Sequence, residues 1–286
     1  MGNMNNPNQN VKQKIFWSGK GGDVWVERQT ELDITLEPLG NAALEKIDLT
    51  NSNQLLDIGC GTGRTCIDIA QKFSNCHVSG IDISEPMIGR AKNLANEEKI
   101  LNASFLVQDI QLEPLEADKY DAAFSRFGVM FFDEPKEAFI NIHNSLKDNS
   151  PLSFVCWQSP KVNPWHGVAS MVLKQHLDLP VPEKRAPSPF AFQEPDYIDY
   201  ILTTAGFKNI MIEPLALKIL WFADQSLDEA VFNFTSLNPV IAESMKSVEV
   251  ETKDKITNQL SEAFKPFMTD KGLVFDSATW IVSANK

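Results

Sequence analysis

Residues 53–63 read Asn-Gln-Leu-Leu-Asp-Ile-Gly-Cys-Gly-Thr-Gly, and this stretch decides the fold. The apolar run Leu55 to Ile58 ends in glycines at alternate positions, Gly59, Gly61 and Gly63, and an amphipathic segment follows at once. That order is a strand, a tight turn and a helix. Glycine suits the turn because the backbone must bend sharply and admit a ligand with no Cβ in the way. The helix then offers its free N–H groups to that ligand. A dinucleotide fingerprint needs G-x-G-x-x-G or A. Counted from Gly59, its third position falls on Arg64, so the spacing speaks against a nicotinamide-dependent dehydrogenase. The spacing here is G-x-G-x-G, preceded by the acid Asp57.

Downstream, acids close two further apolar runs. Asp82 ends His77-Val78-Ser79-Gly80-Ile81-Asp82, 23 residues after Gly59. An acid at the tip of a second strand is placed to accept two ribose hydroxyls; its other role is to help cap the next helix, which Ser84 and Pro86 begin. Asp109 ends Ala103-Ser104-Phe105-Leu106-Val107-Gln108-Asp109, followed by Ile110. Tyr120 to Phe132 reads as a fourth strand and its post-strand loop.

The glycine turn and its three acids resemble the first motifs of the class I S-adenosylmethionine-dependent methyltransferases. Trp17 to Leu39, Leu55 to Gly63, Ser125 to Pro135 and Phe154 to Trp165 resemble one bacterial subgroup of small-molecule methyltransferases, distantly like the quinone-biosynthesis methyltransferases. Ser125-Arg126-Phe127-Gly128-Val129-Met130-Phe131-Phe132 is its most specific run. The resemblance implies S-adenosyl-L-methionine as cofactor, S-adenosyl-L-homocysteine as product, and in-line methyl transfer to O, N or C of a small acceptor. It places Gly59 and Gly61 at the methionine portion, Asp82 on the ribose, and Asp109 with Ile110 at the adenine. Asp57, Cys60, Arg64, Ile83, Met87, Gln108, Ser125, Arg126 and Phe127 complete the expected cofactor set, with Trp17 and Trp25 from a covering N-terminal segment. His166, as a base, and Arg126, orienting the acceptor, are the catalytic candidates; Trp157, Trp165 and Phe190 are candidates for an apolar substrate wall. A cofactor-binding regulatory or partner-binding protein without transfer activity is the alternative.

Composition bounds these readings. The chain has 286 residues, 43% of them apolar, ample for one large domain or two small ones. No stretch has the length of a membrane-spanning helix, and Met1 to Asn10 is polar, without an apolar signal segment, and expected to fray. Neither Cys60, Cys66, Cys76 and Cys156 nor His77, His143, His166 and His176 show metal-ligand spacing, so no metal is expected and a reduced, cytoplasmic setting fits. A net charge of −12 argues against a nucleic-acid partner and for a small-molecule one. A monomer or homodimer away from membranes is expected.

Along the chain the spacing predicts helix from about Val24 to Ile47, broken near Pro38-Leu39-Gly40, and then alternating strands and helices. Cys66, Ile69, Ala70 and Phe73 form one apolar stripe; Ala138, Phe139, Ile142 and Leu146 form another. Lys147 to Pro151 reads as a turn, in which Asn149 tolerates left-handed geometry. The segment 179–195 holds five prolines and reads as a surface loop. Asp196 to Ala205 reads as a helix capped by Gly206, Phe207 to Leu215 as strand six, 226–268 as helical, and Gly272 to Ala284 as the last strand. The fold class is α/β with repeated strand–helix units. The resemblance makes it a Rossmann-like seven-stranded sheet with helices on both faces, its last strand antiparallel between five and six, plus a helical cap. Residues 1–50 would form a helical lid over the cofactor site and 51–158 the cofactor-binding core. Residues 159–286 would supply the substrate cap and complete the domain.

Overall fold

The computed structural model describes residues 10–180 and 183–286. The stretch expected to fray lies outside them except for Asn10, which is 6% exposed and therefore buried.

Three helices come first: α1 (Val11–Trp17), α2 (Lys20–Glu27) and α3 (Gln29–Leu44). The α/β alternation follows with β1 (Gln54–Ile58), α4 (Arg64–Lys72), β2 (His77–Asp82), α5 (Glu85–Glu97), β3 (Ala103–Val107), β4 (Ala122–Arg126), α6 (Pro135–Ser145) and β5 (Pro151–Trp157). The second half contributes α7 (Pro164–Leu173), α8 (Pro195–Ala205), β6 (Lys208–Trp221), α9 (Leu227–Leu237), α10 (Pro239–Lys246), α11 (Val250–Phe264), the two-residue β7 (Met268–Thr269) and β8 (Gly272–Asn285).

One sheet carries the molecule, in the order β3-β2-β1-β4-β5-β8-β6, with β7 paired to β8. Strands β1 to β5 are parallel, and β8 runs antiparallel between β5 and β6. The expected seven strands are thus present, with the short β7 as an eighth. The strand order reverses at β1, where β2 lies on one side and β4 on the other, and the crevice beyond such a switch point is where ligands bind. Parallel strands covered on both faces read as continuous apolar runs. Leu55, Leu56 and Ile58 of β1 and Ala122, Ala123 and Phe124 of β4 accordingly have no exposure.

Local chemistry explains the boundaries. Ser84 caps α5, its Oγ accepting from the Met87 N–H, with Pro86 in the first turn. Gly206 closes α8 at φ 102° and Asn149 turns the chain at φ 63°, both in the left-handed region their residue types favour.

Three expectations need correction. The helical break at Pro38 is absent: α3 runs through it. An interior proline costs about 3 kcal/mol or more, but α3 buries Leu32, Leu36, Leu39 and Ala43 against the sheet, and that burial offsets the loss. The break falls instead between α2 and α3, at Arg28. Consequently α3 is a core helix, and of residues 1–50 it is α1 and α2 that overhang the strand ends. Strand six extends to Trp221, six residues past Leu215. As an edge strand beside β8 it tolerates Pro214, which cannot donate to a ladder.

Candidate active site

At the carboxyl ends of β1, β2, β3 and β4 the structure encloses a pocket of about 710 Å³ including its open mouth. Its floor is the glycine turn. Gly59, Gly61 and Gly63 have φ of 65°, 56° and 82°, all left-handed, as the sequence spacing requires. At Gly61 an added Cβ would have only the Met87 sulfur near it, at 3.8 Å, so the missing side chain leaves free space on the pocket side. Gly59 packs backbone to backbone on Gly128: a Cβ there would stand 2.9 Å from the Gly128 Cα.

Two buried carboxylates shape the wall. Asp82, 8% exposed, accepts from the Gly61 N–H at 2.9 Å with Oδ2 and from the Ser84 N–H at 2.8 Å with Oδ1. It therefore fastens the glycine turn to the start of α5 and keeps acceptor capacity for a further donor. Burial raises its pKa, opposed by those backbone donors. Asp109, also 8% exposed, accepts from the Gln111 N–H at 3.0 Å with Oδ1, and its Oδ2 accepts from the Asn10 carboxamide at 2.8 Å.

The roof comes from α1 and α2. Trp17 packs edge-to-face on Phe131 and Trp25, with ring centroids 4.9 and 6.2 Å apart. The Ser84 hydroxyl donates to the Trp17 carbonyl at 2.5 Å, docking the roof on α5. Gly22 makes this approach possible, since a Cβ would fall 2.0 Å from the Trp17 carbonyl oxygen.

Of the residues expected at the cofactor, Trp17, Trp25, Gly59, Gly61, Asp82, Ile83, Met87, Gln108, Asp109, Ile110, Arg126 and Phe127 line this pocket. Four others stand behind it. Asp57 is 1% exposed beneath the turn, accepts from the Cys66 thiol at 3.1 Å, and is pushed by burial up to about 6. The Cys60 sulfur points back toward Cys66 and Gly80, and burial pushes that thiol up to about 11, which leaves it unreactive. Arg64 turns outward to Asp68 and Glu98, each at 2.6 Å. The Ser125 hydroxyl donates to the Ile58 carbonyl at 2.7 Å and accepts from the Gly128 N–H, tying β1 to the turn after β4.

The catalytic candidates fare differently. Arg126 lines the pocket, but its Nη2 is 2.6 Å from Asp33 of α3, with both side chains largely buried. Its charge is spent on that pair. His166 does not line the pocket. It sits on α7 against Trp165 and Phe190, with ring centroids 5.7 and 4.7 Å away, and burial lowers its pKa. Its link to the pocket wall runs through packed rings, Phe127 stacked on Trp157 at 4.5 Å and Trp157 tilted against Trp165 at 4.9 Å. Trp157, Trp165 and Phe190 thus form an aromatic cluster behind the wall. Phe127 itself has φ 61°, a strained conformation for a bulky residue.

Asn10, Gln13, Ile81, Gly128, Phe131 and Phe132 also line the pocket and were not singled out from sequence. Phe131 and Phe132 lie inside the run that carried the resemblance. Gly128 was signalled by a glycine just past a strand end, opposite a glycine turn. Asn10 had no signal, sitting in a polar stretch.

The site fits an adenosine-bearing, cationic cofactor: an open cradle at Gly61 and two acceptor carboxylates on neighbouring strand ends. Among the described residues no cluster of His, Cys, Asp and Glu could hold a metal ion.

Comparison with known proteins agrees. Residues 49–168 match the family described as a methyltransferase domain. The chain is 26% identical over 128 residues to O-methyltransferase rstn1 of Aspergillus nomiae, covering 44% of this chain and 56% of that protein. It is 27% identical over 135 residues to demethylmenaquinone methyltransferase of Chlamydia muridarum, covering 47% and 56%. The match therefore spans little more than half the length of these relatives. Among solved structures, phosphoethanolamine N-methyltransferase 2 of Haemonchus contortus in complex with S-adenosyl-L-methionine superposes with a TM-score of 0.53 at 16% identity, covering 87% of this chain and 52% of that one. Geranyl diphosphate C-methyltransferase of Streptomyces coelicolor gives 0.51 at 14% identity, covering 87% and 78%. At such identities the structural likeness establishes the fold.

Proposed function

We propose that this chain, whose residues 49–168 match the methyltransferase-domain family, transfers a methyl group from S-adenosyl-L-methionine to a small-molecule acceptor. The observation that carries this reading is the convergence of Gly59, Gly61, Asp82 and Asp109 on one pocket under an aromatic roof. When bound, the cofactor supplies a methyl group already activated on a sulfonium centre.

The protein's own task is then to bind, orient and exclude water. Gly61 holds the backbone open at the floor. Asp82 presents its remaining lone pairs to the ribose hydroxyls, and Asp109 and Ile110 hold the adenine. Trp17, Trp25, Phe131 and Phe132 keep water out, and orientation of this kind lowers a barrier by roughly 7–11 kcal/mol.

No histidine, lysine or tyrosine is among the described residues lining the pocket. That supports an acceptor whose proton leaves to solvent, so that no histidine, lysine or tyrosine base is required. The one cation among the described residues of the wall, Arg126, is neutralised by Asp33, which favours a neutral, hydrophobic or aromatic acceptor over an anionic one. Four buried, unpaired cysteines fit a reducing cytoplasmic setting, and the net charge of −12 fits a metabolite rather than nucleic acid. We take the working unit to be a monomer or homodimer.

The test is turnover. Purified protein with S-adenosylmethionine and pools of small aromatic or apolar metabolites should release S-adenosylhomocysteine with at least one pool. Cofactor binding without turnover on any O, N or C acceptor would contradict methyl transfer.

A further inference from the structure

The roof turns on Arg28. This residue is the one non-helical step between α2 and α3, with φ −104° and ψ 17°. Trp25, which lines the pocket and packs edge-to-face on Trp17, lies one turn before it. A tilt at Arg28 therefore moves both indoles over the pocket. The Arg28 guanidinium is gripped from two sides. Its Nη1 donates to Glu31 Oε1 of α3 at 3.2 Å, and its Nη2 donates to Asn233 Oδ1 of α9 at 2.6 Å. Gln225, in the loop between β6 and α9, closes the circle. Its Nε2 donates to Glu31 Oε1 at 3.1 Å, and its Oε1 accepts from Asn233 Nδ2 at 2.7 Å. Every link in the circle sets a donor against an acceptor, so each amide fixes the orientation of the other. A second tie from roof to cap, Lys20 to Glu243 at 3.2 Å, joins exposed side chains, and such pairs contribute little. Arg28, Gln225 and Asn233 do not line the pocket, and all three lie outside residues 49–168.

Resting on the cofactor reading above, we propose that Asn233 is a positioning residue for the cofactor: through Arg28 it holds the roof hinge against the cap, and so sets how long a bound cofactor stays. The clasp is built to release. Glu31 Oε2 is buried and has no partner while the circle is closed, and a carboxylate oxygen stripped of water without a replacement donor is destabilising. Parting Glu31 from the cap lets water back to that oxygen, which offsets part of the hydrogen bonding lost. Cofactor exchange is then governed by a segment that never touches the cofactor.

The experiment measures the dissociation rate of tritium-labelled S-adenosylhomocysteine from the full chain, chased with unlabelled compound. The unaltered protein is compared with Arg28→Met, Asn233→Ala and the double variant. Backbone hydrogen exchange of α2 is followed in the same proteins without ligand, with β1 and β4 as the folded reference. Each single substitution should speed release about 5–10-fold, part of what a hydrogen bond to a charged group contributes. The double variant should release no faster than the faster single, because both substitutions break one contact. In all three variants α2 should exchange faster, while β1 and β4 stay as they were. Increases that multiply in the double variant, or unchanged exchange in α2, would overturn the proposal. Faster exchange in β1 and β4 as well would reduce the clasp to general stability and overturn it too. Faster α2 exchange with unchanged release would overturn the positioning role and leave the cofactor reading standing. If the unaltered protein binds no S-adenosylhomocysteine, the cofactor reading falls and the positioning role falls with it.

Discussion

Asp82 shows how one side chain can serve fold and site together. From sequence it was a strand-end acid with a choice between ribose and helix cap; in the structure its oxygens hold Gly61 and Ser84 and still face the pocket. Charge-assisted hydrogen bonds contribute about 1.5–3 kcal/mol each. Asp82→Ala is therefore expected to weaken S-adenosylhomocysteine binding by an order of magnitude or more, and unchanged affinity in a calorimetric titration would remove Asp82 from the site. Asp57 is the opposite case, an acid legible in the motif that never reaches the pocket wall. Burial pushes it from 3.8 up to about 6. A carboxyl raised by folding contributes stability that is fully present below its ordinary pKa and is lost as pH rises through the folded value. Near pH 8 its ionisation costs roughly 3 kcal/mol at about 1.4 kcal/mol per pH unit. Asp57→Asn should thus unfold at higher urea than the unaltered protein at pH 8, with the gap closing by pH 4; parallel midpoints across that range would refute the argument. The role of Asp57 was hidden because sequence shows an acid but not the thiol of Cys66 packed over it.

At the level of elements, what the chain displays locally was readable and what depends on distant partners was not. Strand ends and the glycine turn announce themselves through apolar runs, Gly spacing and caps. The continuity of α3 through Pro38 depends on a sheet assembled from β4, β5, β6 and β8, and no local pattern contains that sheet. His166 looked available at the start of a helix, yet the packed rings from Phe127 to Trp165 separate it from the pocket. Two glycines test how elements meet. A Cβ on Gly128 would stand 2.7 Å from the Ile58 carbonyl oxygen and 2.9 Å from the Gly59 Cα, both backbone atoms. Gly128→Ala should lower both the melting temperature and cofactor affinity, because β1 and the turn after β4 must part. Gly22→Ala meets the Trp17 carbonyl oxygen instead, in a roof where α1 buries no residue of its own. Its melting temperature should change little while affinity drops several-fold. Equal effects of the two substitutions on melting would contradict a roof that is separable from the core.

For the whole molecule, the sheet order β3-β2-β1-β4-β5-β8-β6 brings chemistry from residues about a hundred positions apart to one switch point. The alternation of strands and helices made the parallel part of the sheet legible, since right-handed crossovers leave few topologies open; the antiparallel last strand was an expectation from the family resemblance. The roof was legible only in outline: Trp17 and Trp25 stood out as aromatics, whereas Asn10 is a polar residue whose role exists only opposite Asp109. A ligand that binds the folded chain alone stabilises it by mass action, about 2.7 kcal/mol at 100 times its Kd. For a chain of this size that corresponds to an increase in melting temperature of about 4–5 °C, which S-adenosylhomocysteine should produce and NADH should not. The most direct test of the cofactor assignment is calorimetric titration of the unaltered protein with S-adenosylhomocysteine, with NADH as control. Micromolar binding of the first and none of the second is the predicted result; binding of NADH, or of neither, would contradict it.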